Sequence, residues 1–400
     1  MGNYLANIGL AAKIGIFYAM QGVVSIFMPA IIGAIADRYI PAQKLLGICH
    51  GIAGLFMVGA AYYGMTTGTD AQFGILFTLY SFSVAFFMPT IGLSNSVAFK
   101  ILEQNGYDTI KDFPPIRVFG TIGFICSMLF VNFAKMDGTA FQYSYMQFYI
   151  SGILGLLMFL YCFSLPNCPT TVDKSAAFNL GEIFGIKAFK LFKDKNMAIF
   201  FIFSMLLGVS LQITNGFANP YITHFKELPE FAATWGAQNA NALISISQVS
   251  ETLGILLIPI VLKRFGIKRV MLIAMFAWVL RFGFLGAGNP GPGVWLFILS
   301  MLVYGVAFDF FNISGALYVD QRTSASIQSS AQGLFMLMTN GLGATIGTLG
   351  AQAVMNHYVF NAATPDWTTP WYIFAGYALV VAILFIFCFK EPTNPEEKVA

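Results

Sequence analysis

Charge is what this sequence has least of. Of 400 residues, 21 are Lys or Arg and 18 are Asp or Glu, 10% together, where soluble domains carry roughly 25%. Hydrophobic residues make up 57% and the mean hydropathy is +0.72, so a soluble globular domain is excluded. The formal net charge of +3 comes from cations scattered between apolar segments rather than gathered in a basic patch, which excludes nucleic acid as a partner. Cysteine and histidine are sparse too. The five cysteines (Cys49, Cys126, Cys162, Cys168, Cys388) form no CxxC pair, and His50, His224 and His357 are isolated. No disulfide framework, metal site or cofactor is expected. A Ser/His/Asp pattern and a glycine-rich phosphate loop ending in Lys-Ser or Lys-Thr are both missing, so an enzyme is the least favoured class. The opening MGNYLANIG has no basic region leading into an apolar stretch and does not fit a signal peptide.

Long hydrophobic runs, by contrast, fill the chain. Apolar spans are expected at about 14–36, 45–65, 72–99, 114–134, 146–165, 197–219, 239–262, 269–286, 294–318, 327–356 and 370–389. Eleven such spans make an all-α, multi-pass integral membrane protein. Lysine and arginine then orient it. If the first span ends inside at Asp37–Arg38, the inside loops and tail collect most cations, among them Lys44, Lys100, Lys111, Lys263, Arg264, Lys268, Arg269, Arg322 and Lys390. The outside loops after that span keep only Lys135 and Lys226, so the positive-inside rule puts the C-terminus in the cytoplasm. Residues 1–13 would then lie outside with nothing to bring them there, and a further helix preceding Met1 is expected, for twelve in all.

The longest inside connection, Pro166–Asn196, divides the chain into six spans plus six. It separates an N-terminal bundle (1–165, including the tail of the expected first helix) from a C-terminal bundle (197–390) and a cytoplasmic tail (391–400). Within it, Leu180–Phe192 has apolar residues at helical spacing with lysines on the other side, the pattern of an amphipathic helix on the membrane surface.

Polar residues inside the spans carry the functional argument. Glu251 falls near the centre of Asn239–Leu262, where a carboxylate costs on the order of 3 kcal/mol on insertion scales. Such residues face a cavity or a partner and mark an ion or substrate path. Gln248 lies one turn before Glu251 on the same face, and the construction recurs at Gln212 with Asn215 and at Asp309 with Asn312. The plainer reading, hydrogen bonding to a neighbouring helix, stands beside the functional one for the amides more than for the carboxylates. Arg117, Thr121 and Phe124 share one helix face at i, i+4 and i+7, although Arg117 sits close enough to the helix start, after Pro114 and Pro115, to reach the cytoplasm instead. Arg281, also inside a span, reads as a helix-to-helix pairing residue. Gly343 and Gly347 form a GxxxG packing motif, and Pro89 is expected to bend its helix.

Several long stretches, in order, carry a resemblance. They are Phe87–Asn95 (FMPTIGLSN), Phe113–Phe124 (FPPIRVFGTIGF), Ser210–Asn215 (SLQITN), Ser245–Glu251 (SISQVSE), Phe308–Gly315 (FDFFNISG) and Ser330–Asn340 (SAQGLFMLMTN). Together with Gly33, Asp37 and Arg38, which match the GxxxD(R/K) loop of major facilitator transporters, they resemble the nucleoside:proton symporter family of that superfamily, the bacterial nucleoside and xanthosine permeases. The resemblance implies a major facilitator fold of two pseudo-symmetric six-helix bundles in the bacterial inner membrane, acting as a monomer. It further implies import of purine and pyrimidine nucleosides driven by protons. It assigns Arg117, Thr121, Phe124, Gln212, Asn215, Gln248, Glu251, Phe308 and Asp309 to the substrate face, with Asn312 beside them by spacing, and Glu251 and Asp309 as candidates for proton coupling.

The chemistry of those side chains agrees. Gln and Asn meet both the donors and the acceptors of a ribose and a base, a carboxylate accepts from hydroxyls, and Phe124 and Phe308 can stack on a base. Which carboxylate carries the proton stays open. A proton symporter of sugars or other small polar solutes would use the same carboxylates, and a membrane sensor or an inactive fragment are the readings outside transport.

Overall fold

The structure, a computed structural model, describes residues 1–170, 186–324 and 328–390. It is helical almost throughout. The elements are α1 (Gly2–Asn7), α2 (Ile14–Arg38), α3 (Ala42–Thr67), α4 (Phe73–Gln104), α5 (Thr109–Phe133), α6 (Met146–Cys162), α7 (Lys195–His224), α8 (Ala240–Ala287), α9 (Val294–Arg322), α10 (Gln328–Met336), α11 (Ala344–Met355) and α12 (Thr369–Cys388). A π-helical turn, Leu337–Gly343, joins α10 to α11 into one long element. Residues Lys135–Met136 and Thr139–Ala140 pair as a small antiparallel hairpin between α5 and α6.

Among the described residues, nine helices are long and apolar enough to cross a membrane. One of them is too long for a single crossing. With 48 residues, α8 would reach about 72 Å if straight, more than twice the roughly 30 Å of a bilayer core. It is interrupted at Gly266, whose φ of 75° suits a residue without a side chain, and the cations Lys263, Arg264, Lys268 and Arg269 crowd this corner. The limbs 240–265 and 267–287 correspond to the spans read at 239–262 and 269–286. Both limbs touch the same stretch of α9: Ser250 Oγ donates to Leu302 O and accepts from Gly305 N, while Arg281 Nη1 donates to Ser300 O. The second limb therefore turns back alongside the first.

Packing sorts the helices into two groups. α3 lies against α4 and α6, and α2 against α4; α8 packs on α9 and α12, and α7 on the α10–α11 element. The groups meet where α2 runs along α11 and α5 approaches α8. Small residues permit the close contacts. A Cβ on Gly347 would collide with Val209, one on Gly343 with Met205 and one on Gly22 with Thr345, so the GxxxG pair packs against α7 as its spacing implies. The interior of the second group is aromatic, with Trp278, Trp371, Tyr221, Phe217 and Phe282 all enclosed. Outward-facing side chains are apolar as well, including Phe387 at 74% exposure and Leu256 at 68%, a surface suited to lipid rather than water.

The α1 end of the molecule is sealed by amides. Asn3 Nδ2 donates to Asn219 Oδ1 (2.5 Å), Thr223 Oγ1 (3.0 Å) and Gln142 Oε1 (3.4 Å). Gln142 Nε2 donates to Asn132 (3.1 Å), Asn132 Nδ2 to Asn239 (2.9 Å), Asn241 Nδ2 to Gln142 (3.2 Å) and Asn219 Nδ2 to Asn241. Close by, Gln352 and Asn356 of the second group reach the backbone of Ala11, Ala12 and Gly15. Asn3, Asn132 and Gln142 are each at most 5% exposed, so these bonds are shielded from water.

At the opposite end, Gly33 is in open space and Asp37 and Arg38 close α2, both engaged in interactions there. Of the expected surface helix at Leu180–Phe192, residues 180–185 lie outside the described residues. The rest of it falls within a 3₁₀ helix, Ile186–Lys193. α4 continues through Pro89, which is buried within it.

Candidate functional site

Three helices bring the expected residues toward one region. Arg117 on α5 and Glu251 on the first limb of α8 lie within electrostatic reach of each other where the two groups meet. Glu251 in turn lies within reach of Asp309 and Tyr304 on α9. Asp309 is 5% exposed, and among the described residues its Oδ2 has no hydrogen-bond partner. Glu251 is half-buried and Arg117 exposed, so the two carboxylates occupy different surroundings.

Close backbone approach makes this possible. Gly305 sits against Ser250 and Glu251 of α8, where a Cβ would come within 2.8 Å of Glu251 N. Asp309 follows Gly305 by one turn, and so a glycine delivers one carboxyl to the other.

The remaining expected residues lie on these three helices and on α7. Thr121 is half-buried and Phe124 is 53% exposed on the α5 face that carries Arg117. On α7, Asn215 Nδ2 donates to Gln212 Oε1 at 2.9 Å, which leaves the other amide atoms of the pair for a ligand. Gln248 is half-buried one turn from Glu251, and Asn312 Nδ2 donates to Phe308 O at 3.0 Å. Phe308 is stacked on Tyr304, with ring centroids 5.6 Å apart and planes 13° apart. Tyr304 is the residue that sequence reasoning passed over. One turn before Phe308 it read as ordinary apolar span, and only its place between the carboxylates and Phe308 distinguishes it. A groove of about 530 Å³ between α8 and α9, lined by Phe265, Leu272, Phe276, Val303 and Val306, is apolar, looks outward, and contains none of these groups.

The whole chain compares closely with characterised transporters. Residues 1–394 match the family described as nucleoside H⁺ symporter. The chain belongs to the nucleoside H⁺ symporter family. It is 43% identical to the xanthosine permease of Escherichia coli K12, over 99% of this chain and 92% of that one. It is 44% identical to the nucleoside permease NupG of the same organism, over 95% of this chain and 88% of the relative. The crystal structure of a point mutant of the nucleoside transporter NupG superposes with a TM-score of 0.90 at 42% identity, covering 97% and 94% of the two chains. The D-xylose-proton symporter, 13% identical, shares the fold at a TM-score of 0.67 over 98% and 90% of the chains. This symporter is therefore a multi-pass membrane transporter with the major facilitator fold, not an enzyme.

Proposed function

We propose that this chain imports purine and pyrimidine nucleosides together with protons by alternating access, as a monomer of the bacterial inner membrane. The observation that carries the reading is that Glu251 lies within electrostatic reach both of Arg117 and of Asp309, so that charged groups of three helices converge inside the apolar spans. The ribose hydroxyls would bond Gln212, Asn215, Gln248 and Glu251, while the base would lie between Phe124 and the Tyr304–Phe308 pair. Thr121 and Asn312 complete the polar lining. Asp309 takes the proton, because a proton or a substrate hydroxyl is what its enclosed Oδ2 lacks. Glu251, facing Arg117, is a substrate ligand.

In this reading the chain crosses the bilayer eleven times, counting each limb of α8 and the shorter α6, with its C-terminus in the cytoplasm. Residues 1–165 and 197–390 are the two moving bundles, 166–196 is the cytoplasmic linker and 391–400 the tail. Gly33, Asp37 and Arg38, in the last turns of α2, lead into the cytoplasmic turn that adjusts as the bundles rock. The amide seal closes the outer side, so the described conformation faces inward.

Uptake of radiolabelled uridine and adenosine into cells without their own nucleoside permeases tests the function. Accumulation that collapses with a protonophore is expected. No uptake by protein present in the membrane would remove the nucleoside reading and turn attention to sugars. The seal has its own test. With Asn219 and Asn241 both replaced by Leu, about two to three hydrogen bonds worth about 1 kcal/mol each are lost from the inward-facing state alone. A cysteine introduced at Gln212, in a background lacking Cys126, should then react with an external impermeant maleimide at least about tenfold faster. Unchanged reactivity would mean the seal does not hold that state.

A further inference from the structure

Arg281 lies deep in the second limb of α8 and is only 2% exposed, yet it takes no part in the site described above. A guanidinium enclosed at membrane depth is costly, and its surroundings must repay it. All its close polar and ring contacts but one lead to α9. Nη1 donates to Ser300 O at 2.7 Å, Ser300 Oγ donates back to Arg281 O at 2.9 Å, and the guanidinium carbon stands 4.4 Å from the centre of the Tyr304 ring. The exception is Trp278 on its own limb, 6.0 Å away. Nε has no partner among the described residues.

The reciprocal bonds with Ser300 alone would pin the two helices together. The ring contact goes further, because Tyr304 is not an ordinary packing residue. It stacks on Phe308, and it lies within electrostatic reach of Glu251 and Asp309. A cation on an aromatic face, out of water, fixes the plane of that ring strongly. Whatever holds Tyr304 also holds Phe308.

We propose that Arg281 is a positioning residue for substrate: from behind the site, its guanidinium clamps Tyr304 and so sets the plane of the Tyr304–Phe308 pair on which the base stacks. The clamp acts on the aromatic platform and not on the proton. This rests on the nucleoside reading above. Lysine at this position keeps the charge but loses the flat fork that holds Ser300 O and the ring together.

The test is uridine uptake by the full chain reconstituted in proteoliposomes under an imposed proton gradient. KM and kcat are compared for the unaltered protein, Arg281→Met, Arg281→Lys, Tyr304→Leu and the double variant. Arg281→Met should raise KM on the order of tenfold, with kcat per folded transporter held within about twofold. Arg281→Lys should fall between. In the Tyr304→Leu background, Arg281→Met should add no further rise, because the ring it acts through is gone. An equal rise in both backgrounds, or a lowered kcat at unchanged KM, would overturn the proposal. So would failure of both Arg281 variants to yield monodisperse folded protein, which would make the residue a packing element. Absence of uridine uptake by the unaltered protein is a different result, since it overturns the nucleoside reading and this inference with it.

Discussion

Asp309→Asn is expected to abolish concentrative uptake while leaving nucleoside exchange across the membrane measurable. One charge moving through about 100 mV supplies about 2.3 kcal/mol, enough to sustain roughly 50-fold accumulation of a co-transported solute. Without a group that takes up and releases the proton, the accumulation ratio should fall to about 1 whatever the gradient. Asparagine keeps the shape and a hydrogen-bonding oxygen, so the fold and the rocking motion survive. Glu251→Gln should behave differently. Glu251 faces Arg117 and is half-buried, and its replacement by an amide should weaken nucleoside binding yet keep protonophore-sensitive accumulation. Counterflow and driven uptake, measured side by side in proteoliposomes, separate the two outcomes. Retained accumulation by Asp309→Asn together with its loss in Glu251→Gln would reverse the assignment.

Gly305→Leu should be nearly as damaging, for a steric reason. α8 and α9 approach so closely here that Ser250 Oγ bonds both Leu302 O and Gly305 N, and any Cβ on Gly305 would overlap Ser250. The helices would have to separate along the line that holds Glu251 near Asp309. Overpacking of this kind costs about 1–3 kcal/mol or more, and a misplacement of about 1 Å at a binding site costs on the order of 100-fold in rate. We expect a loss of uptake of that order and a lower thermal midpoint in detergent, with Gly305→Ala in between. Full activity of Gly305→Leu would mean that the spacing of the two helices does not govern the site.

Sequence alone settled the class of this protein. Scarce charge and long apolar runs leave no other solvent than a bilayer, because burial of apolar surface is additive along the chain and needs no knowledge of its path. Glu251 and Asp309 stood out for the same reason: a carboxylate inside a hydrophobic span is costly wherever the helix goes. The motifs around Arg117, Gln212, Gln248 and Phe308 carried the family. Helix periodicity put Arg117, Thr121 and Phe124 on one face, and the GxxxG pair at Gly343 and Gly347 identified a close helix contact, though not its partner, α7.

What remained hidden depends on which helices meet. Tyr304 is an ordinary aromatic, and Arg281 a helix-pairing residue without a known partner, until α8 folds back at Gly266 and lays its second limb along α9. The amide seal was equally illegible, since Asn3, Asn132, Gln142, Asn219 and Asn241 lie far apart along the chain and each alone looks like a loop or helix-end amide. The different surroundings of Glu251 and Asp309 also come from neighbours on other helices. Hydropathy is a property of each segment by itself, whereas hydrogen bonds, ring contacts and charge pairs belong to pairs of segments. Only the tertiary structure decides those pairs.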